Sequence, residues 1–316
     1  METYNIKQLK KTSSGLGFYC FAVIILFLII PNIIALICEI FGVDYESDTS
    51  SFFISGFTSI TAFFVTGLIY CFISNTPLQS VIHINRVKIT RILPLIAIGF
   101  SVSLLSNYIS DIILYNFSAI GISFDNTPED ANWSTYKFAL EIIETAVIPA
   151  VFEEFAFRGI ILNKLRKFGD SYAIIISALL FGLMHGNLSQ IPFAFIIGLV
   201  IGFTAVKTNS LIPGILIHFS NNLFSITMSY IKHSDIISTQ LYLIIHFATV
   251  LAVIILGLVS VALLCKNKEF FSLKNHTEND LTLKFKISRS LLSVGMIFFI
   301  VIITLETVTN TLGKLV

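Results

Sequence analysis

Charge is what this chain has least of: only 12% of its 316 residues are Asp, Glu, Lys or Arg, and the net charge is +1. That is far from the composition of a soluble domain, and so even a balance gives no argument for a nucleic-acid partner; none is expected. Prolines are scarce at 7, and the four cysteines show no zinc-ligand spacing and support no disulfide framework. Alternating segments of about ten residues, the signature of a transmembrane barrel, do not occur. No internal repeat at a fixed period is visible. The longest polar stretches, about 40–51, 116–137 and 266–288, are too short to hold a soluble core of their own.

Apolar sequence fills the space instead. Hydrophobic residues make up 55% of the chain, with 30 phenylalanines. They gather in runs near 20 residues long, and about 20 residues of helix cross ~30 Å of hydrocarbon. The expected fold is an all-α, polytopic transmembrane helix bundle of 8 to 9 spans, placed roughly at 17–38, 52–74, 92–115, 139–162, 171–187, 189–206, 211–231, 240–264 and 289–310. The first run is too long for a signal-peptide core, and no small-residue cleavage site follows it. The short break at Gly186–Ser189 leaves a re-entrant pair as the alternative to two full crossings. Three regions are expected: accessory helices over 1–138, a catalytic core over 139–231, and further accessory helices over 232–316.

Charge placement orients the bundle. Lys7, Lys10 and Lys11, then Arg86, Lys88 and Arg91, then Lys164, Arg166 and Lys167, then Lys207, and finally Lys266 to Arg289 all fall on one side if every span crosses. Asp44, Glu46, Asp48, Asp125, Glu129 and Asp130 fall on the other. The basic side is the cytoplasmic one, so the N-terminus is inside and the C-terminus outside. Cys20, Cys71 and Cys265 then lie toward the reducing side and Cys38 lacks a partner on its own side, so all four are read as small hydrophobes.

Against this background three polar motifs stand out: Glu153-Glu154-Phe-Ala-Phe-Arg158, Phe181-Gly-Leu-Met-His185 and His218-Phe-Ser-Asn221-Asn222. Each ionisable group at membrane depth costs about 2.5–3.5 kcal/mol on insertion scales, so such groups face a bundle interior and carry function. Glu154 and Arg158, four residues apart, are natural ion-pair partners. Glu153, turned about 100° away, is free to face a cavity as a general base. At ~1.5 Å per residue, Glu153 lies about 16 Å from the basic end, His218 about 13 Å and His185 about 22 Å. Three segments thus bring polar groups to comparable depths. Pro149, one turn ahead of Glu153, removes a backbone hydrogen bond and frees a carbonyl beside the site. Pro94, Pro192 and Pro213 are placed in first turns, where a missing N–H costs little.

His218 and Asn222 share a helix face and can donate to a developing oxyanion. Equally, Glu153, His185 and His218 form a familiar zinc-ligand set with an open position. Phe181 is set to pack on the His185 ring, and Gly159, Gly182 and Gly186 permit close helix approach. Intramembrane Glu and His also build proton relays, which makes a proton-coupled transporter one alternative; a catalytically silent scaffold or immunity protein is another.

The ordered set Glu-Glu-x-x-x-Arg, Phe-x-x-x-His and His-x-x-x-Asn resembles the CAAX prenyl protease type II family, also described as CPBP (bacteriocin-processing) intramembrane metalloproteases. The resemblance covers about 139–226. It implies a membrane endopeptidase with its site in a cavity open to the cytoplasmic side, a water-activating Glu153 partnered by His185, an oxyanion site at His218 and Asn222, and support from Glu154 and Arg158. For cofactors it implies zinc, with a metal-free glutamate mechanism as the alternative. Its substrate would be a membrane-associated peptide or protein, met in a lipid bilayer, in CAAX-type processing, leader-peptide maturation or bacteriocin immunity. A multi-pass protein of a bacterial plasma membrane is the expected setting.

Overall fold

The structure, a computed structural model, describes residues 2–45, 47–119, 133–234, 236–266, 270–273 and 281–312. Glu46, Asp125, Glu129, Asp130 and Lys274 lie outside them. Among the described residues all regular structure is helical, with no strand. The helices are α1 (Glu2–Phe41), α2 (Asp48–Ile73), α3 (Ile89–Ser118), α4 (135–166), α5 (Asp170–Leu183), α6 (Ile191–Thr208), α7 (Ile212–His233), α8 (Thr239–Cys265), α9 (Leu283–Leu291) and α10 (Val294–Leu312). Their starts follow local chemistry. The Ser47, Ser134, Ser238 and Thr282 hydroxyls each accept a backbone N–H three residues on. Pro192 and Pro213 occupy first turns of α6 and α7. Pro94 does not: α3 begins at Ile89, three residues ahead of the expected span, so the proline falls inside it.

Among the described residues, six helices are long and apolar enough to cross a membrane: α1, α2, α3, α6, α8 and α10. The other three expected spans coincide with α4, α5 and α7, and these carry the motif side chains. Their difference is physical. Two histidines and two asparagines lower the hydropathy of α7. Helix α5 has 14 residues, about 21 Å at 1.5 Å per residue, shorter than the hydrocarbon layer. Helix α4 is not one regular helix: π-helical stretches at Ile142–Val147 and Phe155–Leu162 bracket the α-turn Ile148–Glu154.

Contacts between connections sort the loops into two ends. At one end the Leu211 N–H donates to the His83 carbonyl (2.8 Å), Asn163 to the Ser80 carbonyl (2.9 Å), Lys286 to the Phe168 carbonyl (2.8 Å), and Ser13 to Ser290 (2.9 Å). At the other, Lys137 pairs with Asp48 (3.3 Å), Thr49 bonds Tyr136 (2.9 Å), and Asn310 donates to the Gly186 carbonyl (3.1 Å). The basic connections thus meet at one end of the bundle, as the charge pattern requires.

The core centres on the second π stretch, whose eight residues Phe155–Leu162 are all buried. They pack on Ile176, Leu180 and Phe181 of α5 and on Ile197 and Ile201 of α6. The outer rim is apolar and exposed, as at Ile40, Phe72, Leu251 and Leu258, which suits a lipid-facing surface. Small residues set the closest approaches, the usual device where lipid removes the hydrophobic drive between helices. A Cβ on Gly198 would press on Ala178 at 3.1 Å, so α6 lies almost in backbone contact with α5. Gly182 serves the same crossing, whereas Gly159 meets the Val81 carbonyl. Gly186 has a different role: its φ of +56° turns the chain between α5 and α6, which resolves the short break as a tight turn. None of the four cysteines is bridged. Cys20 and Cys71 are buried as expected, but Cys265 is exposed and Cys38 partly so, because α8 and the far end of α1 sit on the rim.

Candidate active site

Pro149 organises the middle of α4. Having no N–H, it cannot bond the Thr145 carbonyl one turn back. That carbonyl instead accepts the Asn222 side-chain amide at 2.7 Å, which ties α4 to α7. The adjoining π stretches shift the register of the helix, a distortion common at functional sites, and hold both glutamates in the short α-turn between them.

The two carboxylates have distinct surroundings. Glu154 is fully buried. Its Oε1 accepts from Arg158 Nη1 at 2.8 Å and lies 3.1 Å from His218 Nδ1. Arg158, itself buried, also donates to the Gly198 carbonyl at 3.3 Å and stacks over the Phe181 ring, 4.4 Å from its centroid. The Phe181 ring meets His185 edge-on (5.1 Å) and His218 edge-on (5.8 Å), so one aromatic fixes both imidazoles and the guanidinium. The expected packing of Phe181 on His185 is present, and it extends further than expected.

Glu153 has a different environment. It is partly exposed and lines a cavity of about 360 Å³ together with His185, His218, Asn221 and Asn222. A second cavity, about 320 Å³ and walled by Ile24, Phe27, Phe63 and Phe157, shares Glu153, Phe181 and His185 with the first. The glutamate and His185 therefore stand in the wall between a polar and an apolar chamber. His185 Nδ1 sits 2.9 Å from the Phe181 carbonyl and His218 Nδ1 is taken by Glu154, so each imidazole is left its Nε2 for other partners.

All the motif side chains thus gather around Phe181, but with two pairings that spacing did not indicate. His218 is bound to Glu154 rather than standing free beside Asn222. One Asn222 amide hydrogen is spent on Thr145, while its Oδ1 accepts from Asn221 at 2.9 Å. Asn221, quoted in the third motif without a role, is buried, reaches the cavity and accepts from Ser103 of α3. Sequence reasoning also passed over Thr145, whose signal was its place four residues before Pro149. Glu306 was missed as well: it lies in a span read as accessory, yet lines the apolar chamber with an unpartnered Oε2. An acidic residue inside the last apolar run was the available signal.

Oxygen and imidazole donors of the kind zinc takes are present in Glu153, His185 and His218. Among the described residues, however, no three His, Cys, Asp or Glu side chains converge as a ligand group. As placed, these three do not fit a zinc.

A buried Glu–Arg–His cluster beside a cavity lined by Glu153 and His185, inside a membrane bundle, marks a polytopic membrane protein with a polar chamber. Residues 135–224 match the family profile described as type II CAAX prenyl endopeptidase Rce1-like. The chain is also 29% identical over 154 residues to "Putative membrane peptidase YdiL" of Bacillus subtilis (strain 168), a match covering 46% of this chain and 62% of that protein. It therefore aligns with less than two thirds of the relative's own length. No solved structure matches significantly. Both findings agree with the resemblance carried by the motifs: residues 135–224 are similar to the type II CAAX prenyl endopeptidases.

Proposed function

We propose that this protein is an intramembrane endopeptidase that hydrolyses a peptide bond of a membrane-associated peptide or protein. The observation that carries the reading is the division of labour between the carboxylates: Glu154 is committed to Arg158 and His218, and Glu153 is left facing a polar cavity with His185. In this mechanism Glu153 takes a proton from a water held between it and His185. The hydroxide adds to the scissile carbonyl, and the oxyanion is held by the remaining Asn222 amide hydrogen and by His218 in its doubly protonated form, with Nδ1–H on Glu154 and Nε2–H on the oxyanion. Collapse breaks the C–N bond, and the proton on Glu153 passes to the leaving amine. Comparing membrane peptides from cells carrying the wild type with those carrying Glu153→Ala tests it. An uncleaved precursor should accumulate in the variant and identify the substrate; identical peptide sets would sink the proposal.

A zinc-dependent version has one observation in its favour. Both imidazoles have Nδ1 tied to a protein oxygen, the arrangement that orients histidines toward a metal. Such a version would require Glu153, His185 and His218 to close to about 2.0–2.2 Å from one ion. In the metal-free mechanism Asn222→Ala lowers turnover by roughly 10²–10³, and chelators leave the wild type unaffected. Stoichiometric zinc lost together with activity in His185→Ala and His218→Ala would decide for the metal.

A further inference from the structure

We infer that the reaction chamber is entered from the non-cytoplasmic end of the bundle, and that its substrates are exported polypeptides displayed on that face rather than cytoplasmic tails. The inference rests on the reading of Glu153 and His185 as the reacting pair. It runs against the cytoplasmic opening that family resemblance implies, and three observations carry it.

The first is the direction of the polar cavity. Four of its lining residues are exposed: Asn107, Thr145, Gln190 and Ser225. Gln190 lies in the connection after Gly186, at the end where Asn310 bonds the Gly186 carbonyl. Thr145 is on the Thr135 side of Glu153, and Ser225 is on the His233 side of His218. Asn107 is in the half of α3 nearer Ser118. Every exposed lining residue therefore lies from the glutamate toward the same end.

The second is what closes the opposite direction. From Glu154 to Leu162 every residue of α4 is buried, and Ile197, Ile201 and Phe181 complete the chamber wall. Two further cavities open near the basic end, one beside Lys7, Lys11 and Lys167, the other beside Asn75, Ser80 and Asn163. Neither shares a lining residue with the polar chamber. A route from that side would have to pass the packed π stretch.

The third is the charge asymmetry that names the ends. Of the 20 Lys and Arg, Arg158 lies in the site and only Lys137, Lys232 and Lys314 fall by sequence position at the end where the chamber opens. All the others fall at the closed end. Such a bias places the closed end in the cytoplasm. Polar side chains at the mouth (Asn107, Gln190 and Ser225) suit the amides of an extended backbone. The apolar chamber behind Glu153 and His185 suits a hydrophobic residue flanking the cleaved bond.

Site-directed cysteine labelling in intact cells tests the inference without reference to cleavage. In a Cys38→Ser, Cys265→Ser background, Gln190→Cys, Ser225→Cys and Lys167→Cys are each treated with a membrane-impermeant maleimide before and after lysis. Expected is full labelling of the Gln190 and Ser225 variants in intact cells, and labelling of the Lys167 variant only after lysis. Should Ser225→Cys fail to accumulate, Asn107→Cys takes its place. If the chamber cysteines react only after lysis, or the Lys167 variant reacts from outside, the inference is overturned. Failure of the endopeptidase reading would show itself separately, as unchanged cleavage in a Glu153 variant.

Discussion

Glu153→Gln is expected to reduce peptide cleavage by roughly 10²–10⁴, the usual worth of a positioned general base, while leaving the protein inserted and folded. The substitution keeps side-chain shape and removes only the ability to take a proton. Among the described residues Glu153 makes no ion pair, and it is partly exposed to the cavity, so no buried charge is stranded when it is neutralised. The measurement is turnover of the precursor by purified protein, paired with thermal unfolding in detergent. Retained cleavage at wild-type rate removes Glu153 from the chemistry. Lost cleavage together with a large fall in the unfolding midpoint assigns it a structural role instead.

Arg158→Met has the opposite signature, a loss of the fold itself. Arg158 is 1% exposed and supplies the 2.8 Å bond to a carboxylate that is 0% exposed. Removing one partner of a buried pair strands the other charge and costs about 3–5 kcal/mol, against a near-neutral effect when both partners become apolar or uncharged. The Gly198 carbonyl also loses its donor, and Phe181 loses the cation stacked upon it. The double variant Glu154→Gln/Arg158→Met should therefore be more stable than Arg158→Met alone, a non-additivity expected of residues in one network. Cleavage by the double variant should still be impaired, since His218 then loses the carboxylate that orients it. Equal stability of the single and double variants would show that the stranded charge is not the source of the loss.

What could be read from the sequence was what is local or summed over the chain. Apolar runs marked the spans, because a bilayer imposes a length on every helix that crosses it independently of its neighbours. Loop charges sorted the connections into two ends for a similar reason: each loop is placed by its own side of the membrane. The Glu154–Arg158 pair followed from a spacing of four, and Pro149 pointed to a free carbonyl, because both are properties of a single helix. Tertiary structure decided the rest. His218 meets Glu154 across 64 positions of sequence, and Asn222 meets Thr145 across 77. Such pairings depend on how far α7 slides and turns against α4. That register is set by glycine contacts, π-helical shifts and the packing around Phe181, none of which has a sequence period. For the same reason Glu306 of the last helix joins the apolar chamber unannounced. The chamber's opening toward one end was equally hidden, since a cavity is the space that several packed helices leave between them.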